Sequence, residues 1–142
     1  MRTGHRAELG RAGEDLAVRL LEDEGLLVLD RNWRDGRRGE LDIVAWDEGG
    51  AALVFVEVRT RTGAARGTAL ESVDARKVSR LRRLAAAWLA CHDVHGSVRL
   101  DVVAVTVGAP PPRSRSHSSP RSPAVPVSLA GARVEWVQGV SG

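Results

Sequence analysis

The sequence predicts a single α/β domain, with helices and a mixed sheet interleaved in the order α-β-β-β-α-β and a further C-terminal strand. Three observations carry this expectation. Two segments repeat apolar residues at three- and four-residue steps, which is the helical period. The runs LLVLD, ELDIVAW, ALVFVEV and SVRLDVVAVTV are short, aliphatic and bounded by Gly or charged residues, as strands are. The length of 142 residues, with 43% hydrophobic and 27% charged side chains, holds one core and is short for two.

The first helical segment runs from His5 to Glu24, with Leu9, Ala12, Gly13, Leu16, Ala17, Leu20 and Leu21 on one stripe and Gly25 as its stop. Glu14 falls at the border of that stripe, from where an acid reaches over a sheet, while Asp15 points to water. LLVLD at 26–30 reads as a short buried strand, followed by an arginine-rich loop that contains Trp33.

Residues 40–59, ELDIVAWDEGGAALVFVEVR, read as a hairpin that carries acids among its aliphatics. With Gly49-Gly50 as a two-residue turn, which glycine favours because primed turns need positive φ, opposed residues have numbers that sum to 99. Asp42 then faces Glu57, and Glu40 faces Arg59. Strand alternation puts all four on one face, continued by Leu53 and Phe55. Opposed Cβ atoms lie roughly 4.5–5.5 Å apart, so two acids there repel. Either a divalent cation offsets the repulsion, or Glu40 pairs with Arg59 and the other acids are rim residues.

T-A-L-E at 68–71 resembles a capping box that opens a second helix reaching Cys91, with Val73, Leu81, Leu84, Ala85, Trp88 and Leu89 as its apolar stripe. Lys77, the single lysine, lies on that row and faces inward, whereas Arg76, Arg80 and Arg83 face outward. SVRLDVVAVTV at 97–107 and RVEWVQGV at 133–140 are the remaining strands. Between them, 108–131 is a Pro, Ser and Arg tract that reads as a flexible insertion within the one domain.

The formal charge is only +3, yet the basic residues cluster in RNWRDGRR at 31–38, RTRTGAAR at 59–66 and RKVSRLRR at 76–83. Segregated basic stretches suit a polyanion, because neutralising phosphates releases counterions. Arg31, Arg34, Arg37, Arg38, Arg61, Arg66, Arg76, Arg80 and Arg83 are the candidate nucleic-acid contacts. No long apolar run is present, so no membrane span or secretory leader is expected, and the lone Cys91 suits a cytoplasmic address. Cys91, His92 and His95 are three potential zinc ligands without a second cluster, which does not make a zinc site.

GRAGEDLA at 10–17, RNWR at 31–34, RGELDIVA at 38–45, VFVEVRTR at 54–61 and the later Lys77 together resemble the YraN-like family of small bacterial proteins. That family is similar in turn to the restriction-endonuclease-like superfamily with its PD-(D/E)xK core, which includes archaeal Holliday junction resolvases. The resemblance implies a restriction-endonuclease-like fold and metal-dependent phosphodiester hydrolysis with Mg²⁺ or Mn²⁺. Residue by residue, it makes Glu14 the helix acid, Asp42 the first metal-binding acid and Glu57 the second, with Arg59 in the place of the motif lysine. It also implies a nucleic-acid partner, DNA first and structured or branched forms in particular, and allows a homodimer.

The arginine is a departure with chemical weight. A buried lysine shifts its pKa and can activate water, whereas a guanidinium stays protonated and cannot act as a base. Arg59 retains the ability to stabilise transition-state charge, and Lys77 is the candidate that reaches the site from the second helix. The expectation is therefore a metal-dependent nuclease, with a catalytically inactive nucleic-acid-binding module on the same fold as its alternative.

Overall fold

The computed structural model describes residues 2–62, 73–107 and 132–140. Helix α1 (Arg2–Asp23) is followed by strands β1 (Leu27–Arg34), β2 (Glu40–Asp47) and β3 (Ala52–Thr62), helix α2 (Ala75–Cys91), and strands β4 (Ser97–Val107) and β5 (Arg133–Val137). The five strands form one sheet in sequence order; β3 and β4 are parallel and every other pair is antiparallel. This mixed sheet with helices on both faces is the α+β restriction-endonuclease-like architecture that the sequence predicts. Arg66, the capping box expected at 68–71 and the insertion expected at 108–131 lie outside the described residues. Among the described residues, no helix is long and apolar enough to cross a membrane.

Each helix buries its stripe against one face. Leu16, Ala17 and Leu21 of α1 pack on Ile43, Ala45, Val54, Val56, Val103 and Val105. Val78, Leu81, Leu84, Ala85 and Trp88 of α2 pack on Leu41, Val44, Leu53, Phe55 and Leu100. The central strands are covered on both sides and therefore read as nearly continuous aliphatic runs. Helix α1 stops where expected: Gly25 takes φ 94°, and the Leu26 amide donates back to the Leu21 carbonyl in a Schellman closure. Gly13 is needed for approach, since a Cβ there would overlap the Thr60 hydroxyl of β3.

Several boundaries differ from the sequence expectation, each for a local reason. The RNWR stretch is strand rather than loop, because Arg31, Trp33 and Arg34 pair with Ile43, Leu41 and Glu40. Helix α2 starts at Ala75 instead of at residue 68: Asp74 is extended, and its carboxylate accepts the Lys77 amide at 3.0 Å as the N-cap. The hairpin register does sum to 99, from Ile43↔Val56 to Asp47↔Ala52. Its turn is not primed, however. Ala51 carries the positive φ of 50°, and its amide closes on the Glu48 carbonyl at 3.2 Å.

Candidate functional site

The β2–β3 ladder ends at Ile43↔Val56, and beyond that pair the two strands part. Alternation along β2 slips at the same place, for Leu41 and Val44 pack toward α2 whereas Ile43 packs toward α1. Neighbouring β1 is irregular here too, with Asn32 at φ 52°. Asn and Asp are among the residues that tolerate this left-handed conformation. The gap between β2 and β3 is filled by Asp42, whose Oδ2 accepts the Val58 amide at 2.7 Å.

The slip divides the four hairpin side chains that alternation alone would place on one face. Glu40 and Asp42 reach α1: oxygens of Glu14, Glu40 and Asp42 all lie within 4.8 Å of one another. Asn32 spans two of them, its amide nitrogen donating to Glu14 Oε1 at 2.9 Å and to Glu40 Oε2 at 2.8 Å. Glu40 also meets Arg34 at 3.5 Å, so its ion pair is with Arg34 and not with the cross-strand Arg59 of the sequence expectation. Glu57 continues the Leu53 and Phe55 row toward α2, where its Oε2 lies 3.7 Å from Arg59 and 3.8 Å from Arg80. Arg80, expected to face outward, thus turns to the site, while Arg76 and Arg83 are exposed and Lys77 is half-buried. Arg31 pairs with Asp15 at 2.9 Å, Arg38 with Asp35 at 3.4 Å, and Arg37 is exposed.

The electrostatics follow from this packing. Burial pushes the Asp42 carboxyl up, nearby Glu57, Glu14 and Glu40 push further, and the Val58 hydrogen bond holds it back, for a pKa of about 8. Burial also raises Glu57, against the pull of Arg80, Arg59 and Lys77. Glu14 is raised by burial and held back by its Asn32 hydrogen bond. Asp42 therefore takes one backbone hydrogen bond and otherwise feels the charges of Glu57, Glu14 and Glu40, whereas Glu57 has three cationic neighbours.

The ligand chemistry of the Glu14, Glu40 and Asp42 group is all carboxylate oxygen, which suits a hard dication such as Mg²⁺ or Mn²⁺. Cys91 is free and exposed, and the two histidines at 92 and 95 are engaged elsewhere. His92 stacks on Trp88 at 3.9 Å and bonds its carbonyl at 2.7 Å, and His95 meets Asp93 at 3.2 Å. Trp33 and Trp46 pack against the α2 side of the core.

Sequence reasoning ranked Glu40 and Arg80 too low and passed over Asn32 altogether. The available signal was position: Asn32, in a strand opposite the Glu40–Asp42 segment, is the residue type that takes a left-handed kink. Residues 13–105 match the model of the uncharacterised protein family UPF0102, a span that contains every acid of the site. A UPF0102 protein of Mycolicibacterium smegmatis is 54% identical over 104 residues, covering 72% of this chain and 83% of its own. One from Kineococcus radiotolerans is 51% identical over 111 residues, 77% of this chain and 88% of its own. Another from Mycobacterium sp. strain KMS is 51% identical over 109 residues, 76% and 80% of the two chains.

Proposed function

The chain belongs to the uncharacterised protein family UPF0102, the YraN-like family, and from that premise we propose that it is a Mg²⁺- or Mn²⁺-dependent nuclease acting on structured DNA. The observation that carries this reading is the group of three carboxylates that α1 and β2 bring together, with Asp42 pushed to a pKa of about 8 by burial and its acidic neighbours. An arrangement of that kind is costly without a cation and is what a dication site demands.

In this reading Glu14, Glu40 and Asp42 hold the ion. The bound dication supplies phosphate polarisation and a water of lowered pKa. The chain's own residues do the rest. Asn32 fixes the Glu14 and Glu40 oxygens relative to one another through its two N–H groups. Glu57 adds to the negative field at Asp42 while orienting Arg59 and Arg80. Those guanidiniums, with Lys77 close enough to lower the Glu57 pKa, place positive charge beside the acids, where a phosphate and its transition state gain from it. Arg59 binds and orients; it takes no proton. Substrate choice by shape follows from a surface that offers arginines but no base-reading motif.

A second reading has one specific observation in its favour. The position of the motif lysine is Arg59, 3.7 Å from Glu57, and in this second reading turnover has been lost with the fold retained as a nucleic-acid-binding module. The test is cleavage of labelled single-stranded, duplex, flap and four-way-junction DNA with Mg²⁺ or Mn²⁺, beside an identically purified Asp42→Ala variant. Metal-dependent cutting that disappears in the variant supports the nuclease. Binding without cutting on every substrate, unchanged by the substitution, supports the binding module and sinks the nuclease.

A further inference from the structure

A cavity of about 380 Å³ opens between the β1–β2 loop and α2, lined by Asp35, Arg38, Arg80, Arg83 and Leu84. Its walls are fixed by backbone and by packing. The Asp35 amide donates to the Gly39 carbonyl at 2.9 Å and the Arg38 amide to the Asp35 carbonyl at 2.9 Å, which closes the loop. Gly39, whose φ of 136° favours glycine, sets the loop against α2, where an added Cβ would be in ordinary contact with the Leu84 side chain at 3.4 Å.

Three guanidiniums and one carboxylate face this space. Arg80 and Arg83 lie on one side of α2 because residues three apart are neighbours on a helix. Their present bonds are long: Arg38 to Asp35 3.4 Å, Arg80 to Glu57 3.8 Å, and Arg83 to the Ser79 hydroxyl 3.4 Å. A charge-assisted guanidinium bond is shorter, about 2.7–2.9 Å, and each guanidinium has five N–H groups. Most donor capacity is therefore directed into the cavity or to water. One carboxylate against three guanidiniums leaves an excess of positive charge, which a phosphate group would offset. Arg80 belongs to both places, since it also meets the buried Glu57 of the acid site.

We propose that this cavity is an anion subsite that takes a phosphate group of the nucleic-acid substrate, one step along the strand from the phosphate that faces the acids. The identification of the strand rests on the nuclease reading; the phosphate chemistry of the cavity does not. Arg38 and Arg83 grip the group from opposite walls, and Arg80 links the cavity to Glu57. The group is either an internal phosphodiester or the phosphomonoester of a strand end.

Inorganic phosphate, titrated into the full chain in EDTA and followed by amide NMR, tests the cavity alone. Saturable shifts at Arg38, Arg80, Arg83 and Leu84 that disappear in R38Q/R83Q are expected. Their absence from the unsubstituted protein overturns the subsite, whatever the outcome of the cleavage assay. With DNA in EDTA, R38Q/R83Q should bind about tenfold more weakly and with a salt slope shallower by about 2, as loss of two phosphate contacts requires. R11Q/R19Q removes the same charge from α1 and should change affinity less than about threefold, on the scale of a general charge effect. Equal losses in the two variants overturn the proposal. Comparing 5′-phosphorylated with unphosphorylated duplex decides the source: a loss confined to the phosphorylated duplex assigns a strand end, a loss on both an internal phosphodiester. Mn²⁺ affinity measured by calorimetry should be the same in R38Q/R83Q as in the unsubstituted protein, which separates failure of the cavity from failure of the acid site.

Discussion

Asp42 and Asp101 occupy the same sheet with only β3 between their strands, and they are treated in opposite ways. Asp101 has no exposed surface, yet it accepts four hydrogen bonds: from Arg99 Nε and Nη2 at 3.0 Å each, from the Trp136 indole at 2.9 Å and from the Gly139 amide at 3.0 Å. Arg99 is bound on its other side by Asp47 at 3.0 Å, and its pKa is raised, chiefly by the Asp101 hydrogen bonds. Asp42 receives one backbone amide and otherwise faces acids. An acid that serves the fold brings its counter-charge two positions away on its own strand. In the proposed nuclease, Asp42 is the acid left for a ligand to complete.

The contrast predicts different failures. The largest effect is expected for Asp42→Ala in the cleavage assay, a loss of at least about a thousandfold, equivalent to about 4 kcal/mol of transition-state stabilisation. The variant should nonetheless unfold in urea no earlier than the parent protein. Asp101→Ala should do the reverse. Arg99, the Trp136 indole and the Gly139 amide lose their shared acceptor, and a fall in unfolding free energy of about 3 kcal/mol is expected from the unsatisfied donors, with Arg99 left only its Asp47 partner. Urea melts of the two variants measure this, and equal stability losses would erase the comparison.

The pH response sharpens it further. The folded pKa of Asp42, about 8, lies above its reference value of 3.8, so its contribution to apo stability is complete below that reference and lost as pH rises through 8. Melting in EDTA should drop by on the order of 5 °C between pH 5 and pH 8. Asp42→Asn should flatten the drop, and Mg²⁺ at pH 8 should recover part of it. A melting temperature independent of pH in EDTA would show that Asp42 is not destabilised by its neighbours. The smallest effect concerns the bridge between Glu14 and Glu40: Asn32→Ala should weaken Mn²⁺ binding about tenfold by calorimetry, because outer partners orient metal ligands. Unchanged affinity would remove Asn32 from the site.

Much of the scaffold was legible in the sequence because burial enforces it. The hairpin register follows from alternation around Gly49-Gly50, and β4 is aliphatic along most of its length because helices cover both faces of the sheet. Features that depend on breaking a period were not legible. Alternation put Glu40 beside Arg59 and Glu57, whereas the slip between Leu41 and Ile43 hands Glu40 and Asp42 to α1. A helix phased from Val73 puts Arg80 in solvent; capped at Asp74, the real helix places it 3.8 Å from Glu57. The Arg99–Asp101 pair did leave a trace, charges at i and i+2 in the otherwise aliphatic SVRLDVVAVTV.

The parallel pair β3–β4, single among the described strands, has a bearing on how the chain assembles. Ala52 opposes Ser97 in β3–β4, so that contact waits for α2 and the chain around it to be in place. The β1–β2 and β2–β3 pairings join neighbours in sequence and close over short loops. Loop-closure entropy therefore predicts an order: the meander that carries Asn32, Glu40 and Asp42 is expected to zip before the crossover to β4. Glu14 reaches Glu40 and Asp42 from α1, whose Gly13 lies against Thr60, so the acid group is complete only when the N-terminal helix is docked.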